Sequence, residues 1–411
     1  DITNAAFDGT NATTSLKVIV NADTNISDVV ITGTGGVQDA DYAIDIATNA
    51  DAITMTRAQN ALIGTVNDGG DAVITLSDAG AATGDADISK YILANGAQTF
   101  TLGAASQDVT TGTGAVVINT GAIADITDAA LDGSNANTLK VIVGADTDIS
   151  DAVITGTGGA QDAAYDIDLA ANADAITMTI AQNALIDTVT DNDVVITLSD
   201  AGAVTGDVDI SKYVLADGGG TTFTLGATGQ NVDTGSGADI INVAGLTATG
   251  RFNTVSADTI QLSTGANIAS VQGEGNAAGA ALDANKLTLA ANASVTMTAA
   301  QNNAFTGTIT ATGAEKITLS NAANATGLDS IETYVLANGA QTFTLGDASQ
   351  NVTTGTGAVV INTGAVTNIT DAALDGSNAT TSMTVIVGAD TDISAAVITG
   401  TGGAQDAAYD I

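Results

Sequence analysis

Along most of this chain the apolar positions fall in short runs rich in Val, Ile and Leu, broken by Gly, Asn, Asp and Ser. Between residues 139 and 243 the runs are Leu139–Val143, Ala152–Thr155, Tyr165–Leu169, Ala175–Thr179, Val194–Leu198, Ile210–Leu215, Thr221–Leu225 and Asp239–Val243. β-Branched runs of this length between turn formers predict strands. Where alternation is strict, the two-residue period assigns faces: Phe223 and Leu225 share one side, Thr222 and Thr224 the other. No stretch sustains an apolar stripe at helical spacing over three turns. The nearest is TRAQNALIGTV from Thr56, repeated as TIAQNALIDTV from Thr179 and TAAQNNAFTGT from Thr298. Thr as an N-cap predicts one helical turn there, at a corner of the coil.

The pattern also recurs at long range. Tyr91–Asn119, reading YILANGAQTFTLGAASQDVTTGTGAVVIN, returns at Tyr213–Asn242 and at Tyr334–Asn362. Phe7, Leu131, Phe252 and Leu374 mark one place in successive copies, at spacings of 124, 121 and 122 residues (131−7, 252−131, 374−252). Long repeats therefore cover 4–127, 128–248 and 249–370, with a partial copy over 371–411. The expectation is one continuous solenoid over 1–411. Neither end coincides with a repeat boundary or carries a cap, so the chain is read as a piece of a longer protein.

Many short strands fit an antiparallel sandwich array or a parallel β-solenoid. Composition favours the second. Aromatic residues make up 3% of the chain, and Pro, Cys, His and Trp are absent. A sandwich wants aromatic core residues, whereas solenoid coils bury their inner face by stacking and tolerate small side chains. Every second strand comes about 20–25 residues after the last, a solenoid coil length. The expected fold is all-β: a parallel β-solenoid, β-helix or β-roll in kind, with Gly and Asp turns. With coils about 4.8 Å apart, it would make a rod on the order of 80–100 Å long. A hydrophobic content of 45% opposes disorder despite a net charge of −38.

That charge has a particular form. Of 46 acidic residues three are Glu, at Glu274, Glu315 and Glu332. Asp favours turns, so the carboxylates belong to loops. The acidity argues against nucleic acid and anionic membrane surfaces as partners, and suits divalent cations. No apolar run approaches the roughly 20 residues needed to cross a membrane. Without His or Cys, and with eight Lys and Arg, the usual general base, thiol nucleophile and anion stabilisers are missing, and no enzyme is expected. Paired Asp residues can hydrolyse glycosides, but that chemistry would need a cleft with aromatic and basic walls.

The chemistry that remains is metal binding. TGSGADIIN, from Thr234 to Asn242, resembles the calcium-binding nonapeptide GGxGxDxUx, with Gly235, Gly237, Asp239 and Ile241 at matching positions and Thr234 departing from the first Gly. The sister copies read TGTGAVVIN, with Val116 and Val359 in place of Asp239; there TGTG reads equally well as a plain tight turn. A second acidic element precedes Ile-Ser: Asp23 and Asn25, Asp146 and Asp148, Asp390 and Asp392, with relatives Asp85 and Asp87, and Asp207 and Asp209. In an extended segment residues i and i+2 face one side, so each pair is either a solvated turn or a calcium bridge. Calcium is the one cofactor expected. Tyr91, Tyr213, Tyr334, Phe100, Phe223 and Phe343 also recur, either as a sugar-binding platform or, beside Leu102, Leu225 and Leu345, as core.

Taken with TFTLGA, ALDGSN and LTLAANASVTMTAAQ (Leu287–Gln301), the RTX-like turn resembles the giant repetitive surface proteins of Gram-negative bacteria: RTX-type adhesins, biofilm proteins and S-layer proteins. The resemblance implies export, often by a type I route, and folding outside the cell on meeting calcium. The expected role is a structural segment of an extracellular, cell-surface protein, namely an adhesin stalk, S-layer or matrix fibre, acting as a repetitive rod stabilised by calcium. The alternatives are a polymerising filament subunit and an adhesin module that binds glycan or a partner surface. Self-association, end to end or lateral, is the expected contact.

Overall fold

The computed structural model describes residues 1–12, 15–32, 42–156, 165–190, 193–273, 277–388, 390–400 and 409–410. They fall into two compact units, 1–194 and 195–411. Each is a parallel β-solenoid, as the strand spacing predicts, and helix makes up 4% of the chain. All eight apolar runs between 139 and 243 carry a strand at their centre.

In the first unit two sheets alternate along the chain. One stacks Ala52–Met55, Val73–Leu76, Lys90–Ile92, Asp108–Thr110, Ala130–Asp132 and Val153–Thr155; the other stacks Ala81–Thr83, Gln98–Thr101, Ala115–Asn119, Thr138–Val143, Tyr165–Leu169 and Ile186–Val189. Each pairing is parallel and, with few exceptions, in register. Parallel register puts like on like. Ile53, Ile74, Tyr91, Val109 and Leu131 stack on the inner side of one sheet, and Phe100, Ile118, Val141 and Ile167 on the other, all at most 1% exposed.

The second unit repeats the arrangement. Ile196, Tyr213, Val232 and Phe252 form one inner column, and Phe223, Ile241, Ile260 and Leu287 another. Ile317, Tyr334, Val352 and Leu374 form a third. A thin core of Val, Ile and Leu thus needs one aromatic pair per long repeat. Tyr91–Phe100, Tyr213–Phe223 and Tyr334–Phe343 each have ring centroids 4.8 Å apart in a tilted arrangement, a contact worth about 0.5–1.5 kcal/mol beyond its buried area.

The predicted helical turns form as α1 (Arg57–Asn60), α2 (Ile180–Asn183) and α3 (Ala299–Ala304), at corners of the coil. Among the described residues no helix is long and apolar enough to cross a membrane.

Candidate functional site

In two of the acidic pairs the first carboxylate folds back on its own chain. Asp85 Oδ1 accepts the N–H of Asp87 at 3.0 Å, and Asp207 Oδ1 that of Asp209 at 2.9 Å, so the first carboxylate closes a turn over the second residue. Asp148 Oδ1 accepts from Ser150 N and Oγ at 2.9 and 2.6 Å, and Asp392 Oδ1 from Ser394 N at 2.9 Å. The hydrogen bonds from Ser394 hold the Asp392 carboxyl below the usual range. Asp146 instead bridges coils, since its Oδ1 accepts the N–H groups of Asp174 and Ala175 on the next coil, both at 2.9 Å. Asp23 does the same for Ala52 at 2.9 Å. Asp390 sits at φ +62° in a turn. Asp23, Asp85, Asp146, Asp148, Asp207 and Asp392 thus close turns or bridge coils through backbone N–H donors within two residues or one coil.

The TGSGADIIN turn divides into two parts. Gly235 and Gly237 have φ of +63° and +129°, and a Cβ on Gly237 would collide with the backbone of Gly219 in the preceding coil. The same approach recurs as Gly114 on Gly96 and Gly357 on Gly339, in the copies that have Val instead of Asp. These glycines let coils close at the corner whether or not an acid follows.

Asp239 points into the core, 1% exposed, in the inward slot where Val116 and Val359 are equally buried. Its Oδ1 accepts the Thr221 N–H at 2.8 Å, while Oδ2 is buried without a partner, as is Thr221 Oγ1. One coil on, Asp258 is fully buried; its Oδ1 accepts the Asp239 N–H at 2.9 Å, and its Oδ2 accepts Thr234 Oγ1 at 2.7 Å and Val255 N at 2.8 Å. Burial pushes the Asp239 carboxyl above the ordinary range, the Thr221 bond opposes that, and the charge of Asp258 adds to it.

The nine residues predicted to bind metal thus lie in four separate places: Asp146 with Asp148; Asp207 with Asp209; Gly235, Gly237 and Asp239; and Asp390 with Asp392. Among the described residues no three acidic side chains gather as a metal-binding group. The recurrent rings are equally far from a surface platform: Tyr91, Tyr213, Tyr334, Phe100, Phe223 and Phe343 are at most 1% exposed.

What the copies do share is a set of buried amide clasps. Gln59 closes the first turn of α1: its Oε1 accepts the Thr56 N–H at 2.8 Å and its own N–H reaches Thr56 Oγ1 at 3.2 Å. The amide Nε2 then donates to Ile26 O and Val29 O on the preceding coil, at 2.8 and 3.1 Å. Gln182 in α2 and Gln301 in α3 repeat this, donating to Ile149 O and Ile268 O at 2.8 Å. The next residue reaches the other way. Asn60 Nδ2 donates to Thr83 O at 2.8 Å, and Tyr91 Oη donates to Asn60 Oδ1 at 2.9 Å while accepting the Asp85 N–H at 2.8 Å.

A second clasp lies half a repeat on. Gln107 accepts from Gly103 N and donates to Asp85 O and Ile88 O; Gln230 and Gln350 do the same at their own coils. Each Gln is at most 5% exposed and satisfies carbonyls that a corner leaves outside the ladders. Sequence reading passed over these residues, although the unbroken AQN after Thr and the Gln of SQDV, GQNV and SQNV were a visible signal.

Two further carboxylates were also missed as a pair. Glu315 is fully buried and Glu332 half-buried, on successive coils of the second unit, with the Glu315 N–H donated to Glu332 Oε2 at 2.8 Å.

Comparison with family models, curated proteins and solved structures finds no match for this chain. Fold and clasps together define a parallel β-solenoid repeat protein whose recurring residues serve the contact between coils.

Proposed function

We propose that the chain is a structural segment of an extracellular, surface-associated protein, acting mechanically as a repetitive rod. The supporting observation is that what recurs from copy to copy (the amide clasps, the paired glycines, the buried ring pairs) joins one coil to the next. The exposed face offers Thr and Asp, a hydrated acidic surface suited to a scaffold at high concentration. In this reading calcium acts as a counter-ion to the exposed Asp residues, and hydrogen bonds hold the coils.

Immunogold labelling of intact cells, combined with electron microscopy of the native assembly, tests the proposal. Label on the outer surface, on a lattice, fibre or tether, supports it; label confined to the cell interior overturns it.

Lateral self-association is a second reading, favoured by one observation. Val30, Val153 and Val397 occupy the same place in three copies and are 58%, 59% and 60% exposed. Sedimentation of the Val153→Thr variant checks it: a lateral contact through this position predicts weaker association than in the wild type.

A further inference from the structure

Glu315 occupies a core slot. The equivalent residues of the other two copies, Ala72 and Val194, are buried and apolar, whereas here a carboxylate is caged by backbone: Oε1 accepts Asn292 N at 3.0 Å and Thr312 N at 3.2 Å, and Oε2 accepts Gly313 N at 3.0 Å. Three N–H donors hold Glu315 in its ionised form. Glu332 stands where the other copies have Ser89 and Ser211. It stands beside Glu315 in the stack, because Lys316 pairs with Thr333 on the next strand, and it accepts the Glu315 N–H at 2.8 Å. Two carboxylates at neighbouring stacked positions repel when both are ionised, which favours one of them keeping its proton. The cage leaves that proton to Glu332.

We propose that Glu315 and Glu332 share a single proton and form a pH-dependent latch between two successive coils of the second unit, closed while the proton is held and loosened when it is lost to solvent. The other titratable groups on the packed elements do not substitute for it. Lys316 follows Glu315 on its strand and is exposed, Tyr334 is buried with its hydroxyl bonded to Asn302 and Leu328, and Asp329 is exposed in the turn before Glu332. The titration directions agree. Burial, with the Glu315 hydrogen bond and charge, raises Glu332; Glu315 is lowered, since the bonds from Asn292, Thr312 and Glu332 outweigh its burial.

The sign follows for each partner. The contribution of Glu332 is complete below the ordinary glutamate range and disappears as pH rises through its folded value. That of Glu315 is present above the ordinary range and disappears as pH falls through its own. The latch is closed between the two, and the pair titrates as a unit.

The chain has three glutamates, so 13C labelling of Glu carboxyl groups gives a spectrum simple enough to test this directly. The expected result is one carboxyl signal titrating above the ordinary range and one below it, with the upper transition absent in Glu332→Gln. Three signals titrating together in the ordinary range would overturn the proposal. Melting of the full chain gives a second readout: Glu332→Gln keeps a neutral hydrogen-bonding group, so its melting temperature falls less than wild type as pH rises through the upper transition, while Asp329→Asn, which removes an exposed charge nearby, keeps the wild-type slope. Equal slopes for wild type and Glu332→Gln would also overturn it.

Discussion

Tyr91 Oη donates to Asn60 Oδ1 at 2.9 Å, and Tyr334 Oη to Asn302 Oδ1 at 3.0 Å, so one phenol in each unit ties its own coil to a helical turn more than 30 residues back. Each phenol also accepts a backbone N–H, from Asp85 and from Leu328. Removing either hydroxyl leaves a buried donor and a buried acceptor unpaired. Tyr91→Phe and Tyr334→Phe are each expected to cost about 1–3 kcal/mol in denaturant unfolding. Burial raises both phenols above the ordinary tyrosine range. Their contribution is therefore complete below that range and lost as pH climbs through the folded values. Absorbance during alkaline titration should show the buried tyrosines ionising later than the rest, together with unfolding.

The amide clasps predict different behaviour for a truncation and a near-isosteric change. Gln182→Ala leaves the Thr179 N–H without its acceptor and takes from the Ile149 carbonyl one of its two donors, the other being the Ala152 N–H, a loss of about 1–3 kcal/mol. Gln182→Glu keeps the accepting oxygen for Thr179 N–H but turns a carboxylate toward a carbonyl, and should be worse at pH 7 than at pH 4. Circular dichroism melts of both variants at the two pH values check the ordering.

Glycine substitutions separate strain from collision. Gly70 has φ +98° with open space around its Cβ position, so Gly70→Ala carries only the backbone term, about 1–2 kcal/mol. Gly237→Ala and Gly114→Ala add a clash with the backbone of the preceding coil, and should destabilise by several kcal/mol or prevent that corner from closing. Comparing the three by proteolysis locates the opened coil.

Asp239→Val restores the residue of the sister copies. It removes a buried oxygen that has no partner but also the acceptor of the buried Thr221 N–H, so the two effects oppose and the net change is expected to stay within about 1 kcal/mol. Melting with and without a chelator completes the test: if hydrogen bonds hold the coils, removing calcium shifts the melting temperature no more than an equal change in ionic strength.

Much of this protein was legible before its structure. Strand positions follow from β-branched runs between turn formers, and the face of Phe223 from strict alternation. The helical corner follows from Thr at its N-cap. The hydrogen bonds of the acidic residues were not legible, because spacing alone cannot say where a carboxylate finds its donors. Asp207 takes the backbone N–H two residues on, and Asp146 takes one from a coil 28 residues away. The Gln residues were overlooked because a polar residue in a repeat suggests surface, and only coil stacking makes it interior.

By itself the sequence determined the class of fold and its period, since both rest on local propensity and on the chemistry of small, β-branched side chains repeated at fixed spacing. Tertiary structure decided what each polar residue does. Coil register puts Asp239 in a valine slot, Gln59 under the carbonyls of Ile26 and Val29, and Glu332 against Glu315. Those contacts join residues 17 to 33 positions apart, and their partners are backbone groups that every residue carries, so no pattern of side chains could have named them.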